Sequence, residues 1–135
     1  MNAVEIEEAV SALAEGSFEA EEFPFEFLEA FGNKTTTIKR LRSGASNGSD
    51  LGGVLQRNNI HIKVCPEGDA AATLAALKAS PETARAKAKF VLATDGEEFH
   101  AEDLCSGDVV VCDYADFSEH FGFFLPLAGI TTVRQ

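Results

Sequence analysis

Residues 33–63, with the sequence NKTTTIKRLRSGASNGSDLGGVLQRNNIHIK, pass through three local patterns in turn. In residues 35–42, Ile38 and Leu41 recur at helical spacing, which predicts a short helix with basic side chains on its outer face. Residues 43–53 include four glycines and three serines and are typical of a loop. A helix, a loop and then alternating residues together indicate a fold that mixes helices and strands.

The alternation after the loop predicts extended chain over residues 54–65, with a break near Asn58 and Asn59. Side chains on a strand point to opposite faces in turn. One face then carries Ile60, Ile62 and Val64, and the other carries His61, Lys63 and Cys65. We interpret His61 and Lys63 as part of a solvated strand face.

The rest of the chain completes an α/β (α+β) fold with one mixed sheet flanked by helices and an N-terminal helical segment. Periodicity predicts helices near residues 4–14, 24–31 and 69–80 and strands near residues 59–65, 90–94, 98–103 and 108–112. Asp95-Gly96 predicts a hairpin, and residues 116–124 an aromatic helix or turn. We expect residues 60–64 to pair with 90–94, with helix 69–80 crossing between them.

The length of 135 residues favours a single domain over residues 1–135. We divide it into a helical subregion (1–43), a loop (44–53) and an α/β core (54–135). Eleven Phe and no Trp are present, and most of the Phe fall in two clusters, within residues 18–31 and 117–124. We expect these clusters to pack together in the core. The alternative is an interface for another protein or domain.

The charge distribution is strongly uneven along the chain. The net charge is −11, yet residues 1–32 carry −9 and residues 33–63 carry +5. A polyanion is repelled by the whole chain but can still bind a local basic patch. We expect that patch to consist of Lys34, Lys39, Arg40 and Arg42. These residues form either a phosphate-contacting surface, a surface for an acidic partner or an ordinary solvated helix face.

Cysteine usage and hydropathy favour a reduced, cytoplasmic protein without a membrane segment. Cys65, Cys105 and Cys112 are odd in number, and no two of them have the spacing of a zinc knuckle. We therefore expect three free thiols and no metal. No secretory signal opens the chain, and no window approaches the roughly 18 apolar residues of a membrane span.

Metal-dependent phosphodiester cleavage is the main catalytic alternative for this sequence. Nucleases of the PD-(D/E)XK type place an acid near one strand and an acid-x-Lys pattern on the next strand. The nearest match here is Asp50 followed by His61-Ile62-Lys63, in which a histidine takes the place of the second acid. Because Mg²⁺ prefers oxygen ligands, we expect no magnesium-dependent catalysis. Neither a cofactor-binding glycine turn after a strand nor a phosphate-binding lysine loop is present.

The chain resembles the N-terminal domain of MmeI-like class I DNA methyltransferases of the type IIL restriction–modification group. The resemblance lies in the runs FLEAFGNKTTTIKRLRSGASNGSDLGGVLQRNNIHIKVC, AKFVLATDGEEFHAEDL and HFGFFLPLAGI. It implies a PD-(D/E)XK nuclease-like core. The family motif is an Asp, about nine residues and then Glu-x-Lys. One register places Lys63 on the Glu and Cys65 on the Lys. The other places His61 on the Glu and Lys63 on the Lys, and neither restores the acids.

The resemblance implies a role in DNA methylation rather than cleavage. We expect a degenerate nuclease-like domain at the front of a DNA adenine methyltransferase, helping to bind DNA weakly through the basic segment or to brace neighbouring domains. We also expect sequence beyond Gln135, with a helical connector and a methyltransferase domain that binds S-adenosylmethionine. No cofactor is expected within residues 1–135. The alternatives are an active or residual magnesium endonuclease and a protein-interaction module with Phe-rich faces.

Overall fold

The computed structural model describes residues 3–44 and 47–128. The helices are α1 (Ala3–Glu15), α2 (Phe23–Ala30), α3 (Thr35–Arg42), α4 (Ala70–Ala79) and α5 (Pro81–Arg85). The strands are β1 (Val54–Gln56), β2 (Ile60–Val64), β3 (Phe90–Thr94), β4 (Glu98–Asp103) and β5 (Val109–Asp113). A 3₁₀ segment, Tyr114–Ala128, follows β5 and is interrupted at His120. The predicted helices and strands are confirmed. The last two residues of the third quoted run, Gly129 and Ile130, lie outside the described residues.

The five strands form one mixed sheet in the order β1-β2-β3-β4-β5. β2 and β3 are parallel, with Ile60 opposite Phe90 and Val64 opposite Thr94, whereas the other neighbouring pairs are antiparallel. Parallel strands need a long crossover connection, which α4 and α5 provide here. The predicted pairing of residues 60–64 with 90–94 is therefore confirmed.

Helices cover both faces of the sheet. On one face, α1, α2, α3 and the 3₁₀ segment form the larger core with inward side chains such as Ile62, Leu92 and Phe99. On the other face, Leu74 and Leu77 of α4 pack against β3. A sheet covered on both faces has strands that are apolar at consecutive positions, and all five residues of β3 are buried.

The two Phe clusters pack together in the larger core, as predicted. Phe99 and Phe117 stack with their ring centroids 4.8 Å apart, and Phe27 meets Phe124 edge to face at 5.2 Å. Seven of the eleven Phe side chains are buried and the other four are partly covered. No Phe side chain in the described part of the chain is fully exposed, and four remain partly exposed.

The predicted hairpin at Asp95-Gly96 is confirmed and is fastened to the start of α4. Gly96 has a φ of 90°, and a Cβ there would come within 2.7 Å of the Phe18 ring. The Asp95 carboxylate accepts hydrogen bonds from the backbone amides of Glu97 and Glu98 and, at 2.8 Å, from that of Gly68. Although burial raises the pKa of Asp95, these amides lower it overall. The hairpin and the β2–α4 loop therefore hold each other in place.

One sequence interpretation is wrong: His61 does not lie on a solvated strand face. Its side chain is 0% exposed and Cys65 is 8% exposed, whereas Lys63 between them is partly exposed. The reason is the crossover itself. α4 and α5 connect the two parallel strands and lie over the face that carries His61.

Candidate functional site

The glycine-rich loop before β1 is organised by the side chain of Asn47. Its Oδ1 accepts hydrogen bonds from the amides of Ser49 and Leu55, both at 3.0 Å, and its Nδ2 donates to the carbonyl oxygen of Gly53. The amide of Gly48 also donates to the carbonyl oxygen of Leu55. These bonds satisfy backbone groups on the outer edge of β1, which would otherwise be open to pairing with another chain.

The loop can lie this close to β2 only because its last residues are glycines. A Cβ at Gly53 would overlap the carbonyl oxygen of Ile62. Gly52 has a φ of 81°, and the Lys63 ammonium lies 3.7 Å from the position of its missing Cβ. Two glycines thus bring the loop against the strand that carries His61 and Lys63.

The buried imidazole of His61 connects the loop to α5. Its Nε2 lies 2.7 Å from Ser49 Oγ, and its Nδ1 lies 2.8 Å from Thr83 Oγ1. We call Ser49, His61 and Thr83 the histidine network. Ser49 Oγ also accepts hydrogen bonds from the backbone amides of Leu51 and Gly53, at 3.3 and 3.1 Å.

The hydrogen-bond partners of the network decide the tautomer of His61. Thr83 Oγ1 donates its only hydrogen to the carbonyl oxygen of Leu77 at 2.7 Å. It must therefore accept from His61, which places the imidazole hydrogen on Nδ1. Nε2 is then an acceptor, and the hydroxyl of Ser49 donates to it. All hydrogen bonds run in one direction, from the loop amides to Leu77.

The network suits a neutral imidazole. Burial lowers the pKa of His61; the nearby ammonium of Lys63 lowers it further, and the carboxylate of Asp50 opposes the shift. A second proton on Nε2 would face the Ser49 hydroxyl hydrogen and force that hydroxyl to turn away. The arrangement is therefore built around an uncharged histidine with both nitrogens bonded.

The three nuclease-site candidates lie near one another but do not form a metal site. Asp50 is exposed, and its Oδ1 accepts a 2.7 Å hydrogen bond from the buried Ser80 hydroxyl. Lys63 lies over Gly52 and lines a shallow cleft with Asp69 of the β2–α4 loop. Within residues 3–44 and 47–128, no three His, Cys, Asp or Glu side chains are placed to hold a metal ion.

The basic helix α3 presents three of its four predicted contact residues freely to solvent. Lys34, Lys39 and Arg40 are exposed. Arg42 instead makes a bidentate ion pair with Glu22, at 2.5 and 3.0 Å, and its guanidinium lies 4.4 Å from the centre of the Phe25 ring. The hydrogen bond from Arg42 lowers the pKa of Glu22. The charge of Arg42 is therefore largely balanced within the fold.

Sequence reasoning missed Ser49, Ser80 and Thr83, which hold the site together. Each is an ordinary loop or helix-start residue in the sequence, and its partner lies 12 to 30 positions away. The one available signal is the crossover, which predicts that polar residues on the inner face of β2 need partners from the covering helices.

The cysteines are free, with Cys65 buried, Cys112 partly exposed and Cys105 exposed. None of the described helices is long and apolar enough to cross a membrane.

Comparison with known proteins supports the family resemblance that the sequence motifs indicate. A family model described as "MmeI, N-terminal domain" matches residues 1–135, the entire chain. No curated protein and no solved structure gives a significant match. Because the family model covers the whole chain, the chain belongs to the family of MmeI N-terminal domains, which is associated with restriction–modification.

Proposed function

We propose that this chain is a DNA-contacting domain of a restriction–modification protein and that its nuclease-like site does not cleave DNA. The observation that carries the proposal is the state of His61. In the register that places Lys63 on the motif lysine, His61 stands where the nuclease pattern requires a metal-binding acid, and both of its nitrogens are engaged in buried hydrogen bonds.

The order of the elements supports a nuclease-like origin. Asp50 precedes β1, and β1 pairs antiparallel with β2, which carries His61 and Lys63. α4 and α5 then cross to the parallel strand β3. This is the order expected for a PD-(D/E)XK core, with an acid near one strand and the acid-x-Lys pattern on the next.

The chemistry of the site argues against cleavage. Mg²⁺ keeps near-octahedral oxygen coordination and is bound mainly through carboxylates. His61 offers no oxygen, and the Asp50 carboxylate is hydrogen-bonded to Ser80. Lys63 alone cannot position a metal-bound water for attack on a phosphate. The alternative, an active magnesium endonuclease, would require both groups to leave their present partners.

DNA contact is proposed through the exposed cations of α3. Lys34, Lys39 and Arg40 can each approach a phosphate, whereas Arg42 would first have to leave Glu22. A net charge of −11 opposes approach of DNA, so we expect weak and non-specific binding. Three phosphate contacts give a slope of about −2.7 in a plot of log affinity against log salt concentration, and four give about −3.6.

The larger context follows from the family and is part of the proposal. We propose that the domain precedes a helical connector and a DNA adenine methyltransferase domain that uses S-adenosylmethionine. Its partners are then DNA and those neighbouring domains, and its compartment is the cytoplasm. S-adenosylmethionine would supply the methyl group in the downstream domain and would have no site in residues 1–135.

Two experiments test the proposal. Plasmid DNA incubated with the purified chain and Mg²⁺ or Mn²⁺ should remain uncut. Cleavage that disappears in Lys63→Ala would prove the endonuclease alternative instead. Binding to a labelled duplex should weaken similarly for two unrelated sequences in the double variant Lys39→Glu/Arg40→Glu. Lys78→Glu serves as the control, because Lys78 lies on α4, on the other face of the sheet from α3, and is paired with Glu102 of β4. Unchanged affinity in the double variant would refute the α3 contact.

A further inference from the structure

A second group of cations is assembled from two separate parts of the sequence. Arg57 lies in the turn between β1 and β2, and three more cations lie at the end of α5 and in the connection to β3. We call these four residues the basic rim: Arg57, Arg85, Lys87 and Lys89. All four side chains are exposed. Arg85, Lys87 and Lys89 form a local basic run, but Arg57 lies 28 to 32 positions before them, so the sequence does not show that it joins the group.

Backbone hydrogen bonds hold the two parts of the rim side by side. The amide of Asn58 donates to the carbonyl oxygen of Ala86 at 2.8 Å, and the amide of Lys89 donates to that of Asn59 at 2.7 Å. Asn58 and Lys87 adopt positive φ values of 66° and 56°, which marks two tight turns. The backbone that carries these cations is therefore fixed before any ligand binds.

Little negative charge opposes the rim from within the fold. Arg85 lies 3.4 Å from Glu82 and is 79% exposed, so that pair is weak. Arg57, Lys87 and Lys89 form no salt bridge with any described residue. Arg57, Arg85 and Glu82 line an open groove of about 400 Å³ beside Leu55. Three of the four rim cations are therefore without an acidic partner among the described residues.

The rim also adjoins the start of helix α3. The side-chain amide of Gln56 donates a 2.8 Å hydrogen bond to Asn33 Oδ1. Lys34 follows Asn33 directly, and Arg57 follows Gln56. The backbone positions of Lys34 and Arg57 are therefore next to two residues that contact each other, which places the start of α3 near the rim.

We propose that the basic rim is a second contact surface for the phosphate backbone of duplex DNA. The inference rests on the proposed function and extends it from one helix to a second group of cations. Phosphate is the ligand that suits the rim, because its cations are exposed, three of the four lack an acidic partner, and all stand on a preorganised backbone. Contacts of this type position DNA and do not read its sequence.

The test compares two sets of substitutions by binding to a labelled duplex between 50 and 200 mM salt. In Arg57→Gln/Lys87→Gln/Lys89→Gln the slope of log affinity against log salt concentration should become shallower by up to about 2.7, and affinity at low salt should fall about tenfold or more. Lys39→Gln/Arg40→Gln probes α3 separately, and Lys78→Gln is the control. Thermal unfolding checks that each variant folds.

The outcomes separate this inference from the proposed function. If the rim variant binds as the unaltered chain does and the α3 variant binds more weakly, the rim is refuted and the α3 contact stands. If only the rim variant binds DNA more weakly, the rim contact is supported and the α3 contact is refuted. If Lys78→Gln loses as much DNA affinity per removed positive charge as the rim variant does, the affinity depends on net charge alone and the rim is refuted. No measurable binding by the unaltered chain refutes both.

Discussion

Replacing Thr83 by valine removes one oxygen from the histidine network and leaves the side-chain shape nearly unchanged. In the folded protein Thr83 Oγ1 accepts the Nδ1 hydrogen of His61 and donates to the carbonyl oxygen of Leu77. All three residues are buried, with exposed fractions of 3% or less. Water cannot replace the missing oxygen without entering the space under α5.

The expected loss of stability follows from the groups left without partners. The His61 Nδ1 hydrogen becomes a buried, unsatisfied donor at a cost of about 1–3 kcal/mol, and the lost bond to Leu77 adds about 1 kcal/mol. Leu77 keeps a second, longer hydrogen bond from the amide of Ser80, at 3.4 Å, which limits that second loss. We therefore expect Thr83→Val to lower the unfolding free energy by about 2–4 kcal/mol. For 135 residues this corresponds to a fall in Tm of about 7–14 °C.

Urea denaturation followed by circular dichroism measures this change, with Thr36→Val on the exposed face of α3 as the matched control. The control should remain within about 0.5 kcal/mol of the unaltered chain. The double variant His61→Leu/Thr83→Val should lose less unfolding free energy than the two single variants lose together. The reason is that replacing both partners leaves fewer unsatisfied groups. An unfolding free energy for Thr83→Val within about 0.5 kcal/mol of the unaltered chain would refute the network.

Three further predictions test other parts of the fold. Burial lowers the pKa of His61, so the unfolded chain binds more protons below about pH 6.5. The unfolding free energy should fall as the pH drops through that value, and it should fall less in His61→Gln than in the unaltered chain. An equal fall in the two proteins would contradict a neutral buried His61. Burial and three nearby carboxylates raise the pKa of Cys112 to about 11, so a thiol reagent at pH 8 should modify the exposed Cys105 first, by mass spectrometry. Earlier modification of Cys112 would contradict its shielding. Phe99→Ala removes a fully buried ring stacked on Phe117 and should cost about 3–5 kcal/mol in urea denaturation; a loss under about 1 kcal/mol would contradict that packing.

The regular elements could be predicted because their signals are local. Asp95-Gly96 between two apolar runs predicts the β3–β4 hairpin, and the glycine is required there by a φ of 90°. The order strand, helix, strand predicts the parallel pairing of β2 and β3, because a helix is the usual connection between parallel strands. In these elements propensity, turn chemistry and hydrophobic pattern all favour the same structure.

The site was harder to predict because its contacts are not local. Alternation along β2 shows that His61 and Ile62 point to opposite faces, but it does not show that both faces are covered. That depends on where α4 and α5 lie. The hydroxyl partners of His61 are 12 and 22 residues away, and nothing in the glycine-rich loop marks Ser49 as one of them. The basic rim was missed for the same reason, because Arg57 and Lys89 meet only through backbone pairing.

Under the proposed function, the nature of residue 61 explains how a nuclease-like arrangement could be stable without a metal. A carboxylate at this position would be buried near Asp50, and two neighbouring acids without a cation repel each other and lose hydration. In a metal-dependent site the bound cation offsets that cost. A neutral imidazole removes the repulsion and forms hydrogen bonds to Ser49 and Thr83. Ser49, His61 and Thr83 thereby link the loop to α5 through neutral hydrogen-bonding groups. In the proposed function, the exposed cations of α3 and the basic rim then serve DNA contact and take no part in cleavage.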